Sequence, residues 1–442
     1  MADKYDISID SSSGFSQQDL ASAAQKLSES EIVCSWLNFP VSERDWIDHH
    51  HIETCRIAAP TFQEQARAEY LTKAFRELGH AAYLDDAGNA VVPIIFQPDL
   101  PFVAVCAHMD TVLAPRHSTD IAVTEDGTFT GPGVTDNGAG LAALLALGKL
   151  FKNHSQLSLV QAMAIKNILL FASVAEEGEG SLLGMNYLCQ LSPLAKKLSS
   201  FLILDGASTG HITAEALGSS RFEILIQGYG GHSWNDFGTA NPIHALARTV
   251  AILADTDLPE SPRTTLSVGV MEGGFGVNSI PDLARAKVDI RSESSEEMKN
   301  LVNTLGDALK LGIEIENRRT SRHPLSYNIR EIGHRPAASL SSQNYVVDVI
   351  RAVDSKLGIQ ARLDCASTDA NIPLAMGLPA VAIGAGGRGG NVHTTSEWFH
   401  PQGREMGLQR IILALSLLLT KEFNSEDRRA NRNEHATVHN SK

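Results

Sequence analysis

Short apolar segments alternate with helical patterns along this 442-residue chain, and this alternation constrains its fold more than any other feature. Segments so short and so apolar are typical of strands buried on both faces of a largely parallel sheet covered by helices. The sequence therefore predicts an α/β fold with a mostly parallel sheet. Strands are predicted at 102–107, 168–174, 201–204 and 380–383, and helices at 141–150, 181–191, 342–357 and 403–420.

A middle segment breaks this rhythm between residues 216 and 330. Its predicted order is βαββαβ, which is that of a ferredoxin-like module. The elements are predicted at 221–227, 241–253, 264–270, 283–290, 295–311 and 313–317. Because the earlier pattern resumes afterwards, we predict one domain in two parts, 1–215 and 331–423, with the module 216–330 inserted between them. Residues 424–442 are polar and are predicted to form a disordered tail.

Composition narrows the class of protein. The formal net charge is −14, so the chain repels phosphate backbones and nucleic acid is not an expected partner. There is no run of 18 apolar residues, so no membrane span is expected. The start, Met1 to Asp6, lacks the basic flank and apolar stretch of a signal peptide. Five cysteines without CxxC spacing indicate reduced thiols, and we expect a cytoplasmic protein.

Side chains that bind metals follow three of the predicted strands at the point where each strand ends. His108 and Asp110 follow the first strand, Glu176 and Glu177 the second, and Asp205 the third. In open α/β sheets, ligands bind outside the carboxyl ends of the strands. The sequence therefore predicts an active site at this edge of the sheet.

Two glycine-rich loops carry further candidate ligands. Residues 131–140 place Asp136 just before the predicted helix 141–150, and residues 386–393 end in His393. Glycine lets a backbone approach a ligand closely, so Asp136 can bridge two metal ions. The alternative is that Asp136 is the N-cap of an ordinary helix.

The candidate ligands suffice for two ions if Asp136 is shared, because each ion then receives three protein ligands. Positions remain open for water and substrate, as a catalytic zinc site requires. The first ion would be bound by Asp136, His108 and Asp205, and the second by Asp136, Glu177 and His393.

Two pairs of neighbouring residues suggest a division of roles. Side chains two apart on a strand share a face, so Asp110 can orient the imidazole of His108 while that ring binds metal. Adjacent side chains diverge, so one member of the pair Glu176 and Glu177 can bind metal while the other faces the substrate.

The order of these motifs resembles the co-catalytic zinc metallopeptidase family that includes carboxypeptidase G, acetylornithine deacetylase, aminoacylase and peptidase T. Asn137 is a mild departure, since the family often has Asp or Gly after the bridging aspartate. The resemblance extends over nearly the whole chain, from residue 58 to residue 397. The matching segments are 107–112, 131–140, 176–178, 204–206, 230–233, 273–291 and 393–397.

The resemblance implies the five ligands given above and two Zn²⁺ ions per subunit, with Co²⁺ or Mn²⁺ as possible substitutes. It also implies that Glu176 is the general base and that Asp110 supports His108. The inserted module would be the lid and dimerisation domain of a homodimer. His232 would donate to the oxyanion in the partner subunit's site, and Asn278 and Arg291 would bind the substrate.

The implied function is hydrolysis of a peptide or amide bond in small peptides, as in di- and tripeptidase-like exopeptidases. One alternative is an N-acyl-amino-acid deacylase similar to acetylornithine deacetylase. A second alternative is a catalytically silent paralogue that only binds peptides or amino acids, but no candidate ligand is lost. The sequence does not determine the side-chain specificity, because pocket residues lie on variable loops.

Overall fold

A computed structural model describes residues 17–152, 164–320, 323–340 and 344–419. The chain divides into two compact units. Of the described residues, the first contains those up to Ala214, those of Ser339–Asp364 and those from Thr368, and the second contains those of Glu215–Ala338 with Cys365–Ser367. The predicted disordered tail, 424–442, lies outside the described residues.

The first unit is built on a large sheet whose four central strands run parallel, which confirms the predicted α/β class. The outer strands β2 (Ala90–Ile94) and β8 (His211–Ala216) pair with it antiparallel. The spatial order is β1-β2-β6-β3-β7-β17-β8-β15, with β16 also paired to β8. The strands are β1 Tyr83–Leu84, β2 Ala90–Ile94, β3 Phe102–His108, β6 Asn167–Ser173, β7 Leu198–Leu204, β8 His211–Ala216, β15 Ala338–Ser339, β16 Arg362–Ala366 and β17 Ala380–Ile383.

Helices cover this sheet, and as a result every residue of β3 and of β6 is buried. The helix α5 is apolar all round its surface and is buried from Gly138 to Gly148, as expected for a helix inside a core. The helices of this unit are α1 Gln17–Glu29, α2 Glu31–Ser42, α3 Arg44–Arg56, α4 Gln65–Glu77, α5 Gly138–Leu150, α6 Leu183–Asn186, α9 Tyr345–Leu357, α10 Asn371–Ala375 and α11 Arg404–Leu419.

A small second sheet in the first unit joins the two glycine-rich loops. Its order is β18-β19-β5-β4, and the register pairs Trp398 with Thr130 and Phe399 with Phe129. The loop that carries His393 is therefore held beside the loop that carries Asp136. The strands are β4 Ala122–Val123, β5 Phe129–Thr130, β18 Arg388–Gly390 and β19 Trp398–His400.

The second unit has the predicted βαββαβ order. Its four strands form an antiparallel sheet in the order β11-β13-β9-β14, which is the ferredoxin-like arrangement. A separate two-stranded ladder joins β10 and β12. The elements are β9 Gly218–Gln227, β10 Gly231–His232, α7 Pro242–Ala254, β11 Thr264–Gly273, β12 Ser279–Ile280, β13 Leu283–Ser292, α8 Ser295–Asn317 and β14 Ser326–Arg335.

The predicted strand 313–317 is wrong, because these residues complete α8. Their alternation of apolar and acidic residues resembles a strand, but Leu309, Ile313 and Glu316 are buried at helical spacing. Glu316 also accepts a hydrogen bond from Arg248 at 2.7 Å, which fixes the last turn of the helix against α7. The last strand of the module is β14 instead.

Two further findings concern the compartment and the membrane. All five cysteines are described and carry free thiols. Among the described helices, none combines the length and the apolar composition that crossing a bilayer requires.

Candidate functional site

The parallel strands bring the predicted ligands to one edge of the large sheet. His108 is the last residue of β3, where it pairs with Ser173 at the end of β6. Asp205 directly follows β7, which is the other neighbour of β3. Because the segment after Ser173 leads to Glu176 and Glu177, three strand ends supply donors to one place.

The predicted ligands form two groups that share Asp136. In each group the donor atoms all lie within 4.8 Å of one another. A third group, whose donor atoms also lie within 4.8 Å of one another, contains Glu176 with Glu177 and His108. Both glutamates therefore lie at this cluster. The two groups that share Asp136 are His108 with Asp136 and Asp205, and Asp136 with Glu177 and His393.

The hydrogen bonds of His108 fix which ring nitrogen can bind a metal. Its Nδ1 lies 2.9 Å from the main-chain oxygen of Asp110, and a carbonyl oxygen only accepts, so Nδ1 carries a proton. The other nitrogen, Nε2, faces the cluster and lies 2.9 Å from a carboxylate oxygen of Asp136. His108 thus directs Nε2 toward the place where a metal ion would be held.

In addition to contacting His108, Asp110 binds the segment that contains Glu176 and Glu177. Its carboxylate lies 3.5 Å from Nδ1 of His108, whereas its main-chain oxygen lies 2.9 Å from the same nitrogen. The same carboxylate accepts the main-chain amides of Glu176 and Glu177, both at 2.9 Å, and the hydroxyl of Thr61 at 2.9 Å. Asp110 therefore fixes the backbone of the two glutamates, a role that the sequence analysis did not assign.

Glu397 holds the loop of Asp136 in place. Its buried carboxylate accepts three main-chain amides, those of Gly133 at 2.8 Å, Thr135 at 2.7 Å and Asp136 at 2.9 Å. Hydrogen bonds to an ionised acceptor are about twice as strong as neutral ones. Glu397 lies in the motif that ends the resemblance, yet only the tertiary contacts show what it does.

Asn137, rather than Asp136, caps the helix α5. Its side-chain oxygen accepts the amide of Gly140 at 3.1 Å and that of Gly206 at 3.2 Å, and its nitrogen donates to Leu204 at 2.8 Å. The alternative interpretation of Asp136 as an N-cap is therefore wrong. Asn137 also joins the Asp136 loop to the segment around Asp205, which brings two predicted ligands together.

A buried chain of polar residues supports the Asp136 loop from behind. His51 lies 2.6 Å from the main-chain oxygen of Val134, and Arg404 donates to the other ring nitrogen of His51 at 2.6 Å. Arg404 also pairs with Asp48. Because burial and the nearby guanidinium keep the pKa of His51 well below its ordinary value, the ring is neutral and donates to Val134.

The electrostatics of the cluster show strong coupling between carboxylates and imidazoles. Burial opposes ionisation of Asp136, but hydrogen bonds with His108 and His393 hold its pKa well below the usual range. Burial and the charge of Asp136 raise the pKa of Asp205 to about 7. The hydrogen bond with Asp136 and the charge of Glu177 raise the pKa of His393 to about 9, against the effect of burial. Burial also opposes protonation of His108, yet its carboxylate partners raise its pKa well above the ordinary value.

The residues present fit a pair of divalent cations. Carboxylates crowded at a buried edge repel one another unless positive charge is supplied. Here the protons on the hydrogen-bonded imidazoles supply that charge. A metal ion would replace these protons, since imidazole and carboxylate are ligands that Zn²⁺ accepts. The side chain of His393 is 49% exposed, which leaves one side of the cluster open to solvent.

Metal binding to the metal-free protein at pH 7 is expected to release protons, because ligand imidazoles must lose theirs. His108 and His393 both have a raised pKa, and Asp205 titrates near pH 7. We expect the release of roughly two to three protons per chain, measured by titration calorimetry with Zn²⁺ in buffers of different ionisation enthalpy.

His393→Asn is the control for this prediction, with an expected release of about one proton fewer. In the metal-free protein, the ion pairs of His393 stabilise the fold below pH 6.5, and this contribution disappears as the pH rises through about 9. Proton release should therefore shrink above pH 9. A release that is constant from pH 7 to pH 10 would contradict the assignment.

The second unit contains the other predicted site residues, and it brings two of them together. His232 pairs with Ser279 in the β10–β12 ladder, and the amide of Ser233 donates to the main-chain oxygen of Asn278 at 2.9 Å. The Nδ1 of His232 accepts the amide of Trp234 at 3.2 Å. Because Nδ1 accepts this amide, Nε2 is the ring nitrogen that carries a proton, as an oxyanion donor needs.

Arg291 lies near the end of β13, whereas the β10–β12 ladder precedes the start of that strand in the chain. His232 and Asn278 are close to the start of β13 at Leu283, whereas Arg291 comes eight residues later on that strand. At about 3.4 Å per residue, this separation is about 27 Å. Arg291 donates to Asp289 at 2.8 Å. Within one chain, these predicted substrate contacts therefore form two groups rather than one.

Comparisons with known proteins agree with this architecture. The model of the peptidase dimerisation domain matches residues 214–312, and that of peptidase family M28 matches residues 96–241. The succinyl-diaminopimelate desuccinylase of Corynebacterium glutamicum is 25% identical over 75% of this chain and 85% of its own length.

Two solved structures share the fold. The aminopeptidase PepT of Bacillus cereus has a TM-score of 0.66 at 20% identity, covering 84% of this chain and 98% of its own. A dinuclear metal-binding peptidase of the M20 family from Bacillus subtilis has a TM-score of 0.61 at 14% identity, covering 86% and 99%.

The parallel sheet and the match to the peptidase dimerisation domain define a hydrolase of peptide or acyl-amino-acid bonds, and the histidines and carboxylates at the sheet edge form a possible metal site. In its matched domain, its relatives and its fold, the chain is similar to the M20 peptidases and related hydrolases.

Proposed function

We propose that this protein is a zinc-dependent exopeptidase that hydrolyses the amide bond of small peptides and acts as a homodimer. One observation carries the proposal. His108, Asp136, Glu177, Asp205 and His393 form two donor groups that share Asp136. Such a set suits two co-catalytic ions with positions left for water and substrate.

Each side chain at the cluster has a distinct task in the proposed mechanism. Two bound ions would supply Lewis-acid activation of a water molecule and of the scissile carbonyl. Glu176 accepts the proton of the attacking water on a carboxylate oxygen and returns it to the leaving amine. Asp110 keeps Glu176 in position through its main-chain amide and keeps His108 oriented from the side away from the cluster. The Nε2–H of His232 would donate to the developing oxyanion.

An N-acyl-amino-acid deacylase is the second candidate. The relative from Corynebacterium glutamicum is a desuccinylase, which favours a substrate with an acyl group on the nitrogen. Both candidates use the same cluster and the same bond cleavage. They differ only in what flanks the amide.

A substrate screen distinguishes the candidates. The protein would be loaded with zinc, cobalt or manganese and assayed on dipeptides, tripeptides and N-acyl amino acids, with the metal content measured in parallel. Faster turnover of peptides than of N-acyl amino acids would support the peptidase. Absence of turnover on every amide, with metal bound, would show a silent binding protein instead.

The separation within the second unit supports an exchange of residues between two subunits. A small peptide is much shorter than the roughly 27 Å between the two groups of predicted contacts. If both groups serve catalysis, His232 with Asn278 must act at one centre and Arg291 at another. The loops around His232 also expose apolar side chains, with Trp234 84% and Phe237 87% exposed, as is typical of a surface that is covered on association.

Arg291→Lys should raise KM mainly for substrates with a free carboxylate near the scissile amide. The planar guanidinium binds a carboxylate with two parallel hydrogen bonds, which lysine cannot reproduce. A hydrogen bond to a charged group contributes about 1.5–3 kcal/mol, so the expected loss is about ten- to a hundredfold. The measurement compares KM for free and C-terminally amidated peptides.

Arg221→Lys is a matched control, because Arg221 donates to the same carboxylate of Asp289 at 3.1 Å. It should leave the ratio between free and amidated substrates unchanged. Equal losses on both kinds of substrate in Arg291→Lys would show that Arg291 serves the fold.

A further inference from the structure

We propose that Phe62, together with Val112 and Leu113, forms an apolar subsite for a substrate side chain next to the scissile amide. We call these three residues the apolar rim. This inference rests on the proposed amide hydrolase function and adds to it a preference for large apolar side chains.

The loop before α4 is attached to the catalytic segment by two shared carboxylates. Thr61 donates to the Asp110 oxygen that also accepts the amide of Glu177. The amide of Phe62 donates to Glu64 at 2.9 Å, and the same Glu64 oxygen accepts the amide of Ala175 at 3.0 Å. Because Ala175 precedes the proposed general base, the backbone of Phe62 lies beside the catalytic segment.

Phe62 adopts an unusual conformation and keeps its ring in solvent. Its φ is 72° and the residue is 61% exposed. A bulky side chain at positive φ is an outlier, and such backbone strain clusters at functional sites. Ala175 and His393, at the same edge, also have positive φ, 53° and 63°. Neither burial nor local preference explains a phenylalanine here, whereas contact with a substrate does.

Two further exposed apolar residues follow a segment that is bridged to the loop of Phe62. Pro60 pairs with Thr111 in an isolated parallel bridge, which places the segment just before Val112 beside the start of that loop. Val112 is 45% exposed and Leu113 is 37% exposed. Both directly follow the motif that contains His108 and Asp110, so the rim borders the donor cluster.

The surroundings favour an uncharged apolar side chain as the occupant. Phe62, Val112 and Leu113 carry no charge, so the rim provides no ionic partner for a charged substrate side chain. The rim itself offers ring and aliphatic surface. Transfer of a leucine or phenylalanine side chain of the substrate from water onto this surface is favourable in proportion to the area buried.

Phe62→Asn and Phe62→Gly test the subsite without disturbing the backbone, because both residues accept positive φ. The zinc-loaded protein would be assayed on dipeptides that carry Ala, Leu or Phe at one position at a time. We expect about a tenfold lower kcat/KM for Leu and Phe peptides, through KM, at one of the two positions, and little change for Ala peptides. Phe62→Leu should retain most of the preference.

The control for folding is thermal stability. Relief of strain should make the Asn and Gly variants at least as stable as the parent, with a higher Tm. Equal changes across the whole series, or no change at all, would overturn the subsite while leaving the amide hydrolase proposal intact. A metal-loaded parent that hydrolyses none of these peptides and no N-acyl amino acid would overturn both.

Discussion

Glu176→Ala is expected to retain both metal ions and to lose about 10²–10⁴-fold in kcat, the typical contribution of a general base. Glu176 is only 4% exposed, and its backbone is fixed by Asp110 at 2.9 Å. Glu177, by contrast, makes a 2.9 Å contact with His393 and belongs to the group that contains Asp136. Metal content by mass spectrometry and kcat on a cleaved peptide are the two measurements.

Glu177→Ala is the matched control, since it removes the same carboxylate one residue away. It should lose one of the two ions as well as activity. If Glu176→Ala lacks an ion while Glu177→Ala retains both, the two roles must be exchanged.

The second large effect concerns His232, whose removal should lower kcat about 10²–10³-fold, as for other single oxyanion donors. If His232 acts at the partner subunit's centre, then His232→Ala and Glu176→Ala protomers should complement each other when mixed. In an equal mixture half of the dimers are mixed, and each of these has one intact site. The expected recovery is therefore about a quarter of the parental activity.

Two other mixtures make this test specific. His232→Ala mixed with Asn278→Ala should not recover activity, because both residues lie at the β10–β12 ladder and serve the same centre. His232→Ala mixed with Arg291→Ala should recover, because Arg291 lies about 27 Å along β13 from the start of that strand, where the ladder of His232 lies. The exchange would be refuted if mixtures of His232→Ala and Glu176→Ala protomers stay inactive although the protomers fold and form mixed dimers.

Much of the architecture could be predicted because it depends on local patterns. The buried strands 102–107 and 380–383 differ from the observed β3 and β17 by one residue at most. The failure at 313–317 has a local cause as well. A short alternating pattern is ambiguous, and only packing of Ile313 and Glu316 against the rest of the module decides for the helix.

The supporting contacts of the site could not be predicted, since they join residues that are distant in the chain. Asp110 accepts the amide of Glu176 across 66 residues, and Glu397 accepts the amide of Gly133 across 264. No periodicity encodes such pairs. Asn137 likewise looked like a neutral departure from the family pattern, yet it connects the loop of Asp136 with the strand end beside Asp205.

The sequence by itself determined the chemistry available to this protein. Histidines and carboxylates placed after short apolar strands must meet at one sheet edge, because parallel strands end together. The tertiary structure alone decided how those side chains are used. It gave Asp110 and Glu397 their supporting hydrogen bonds, assigned the helix cap to Asn137 and placed His232 in the β10–β12 ladder, away from Arg291 near the end of β13. These outcomes depend on hydrogen bonds and on strand register between distant segments, which become fixed only when the chain is folded.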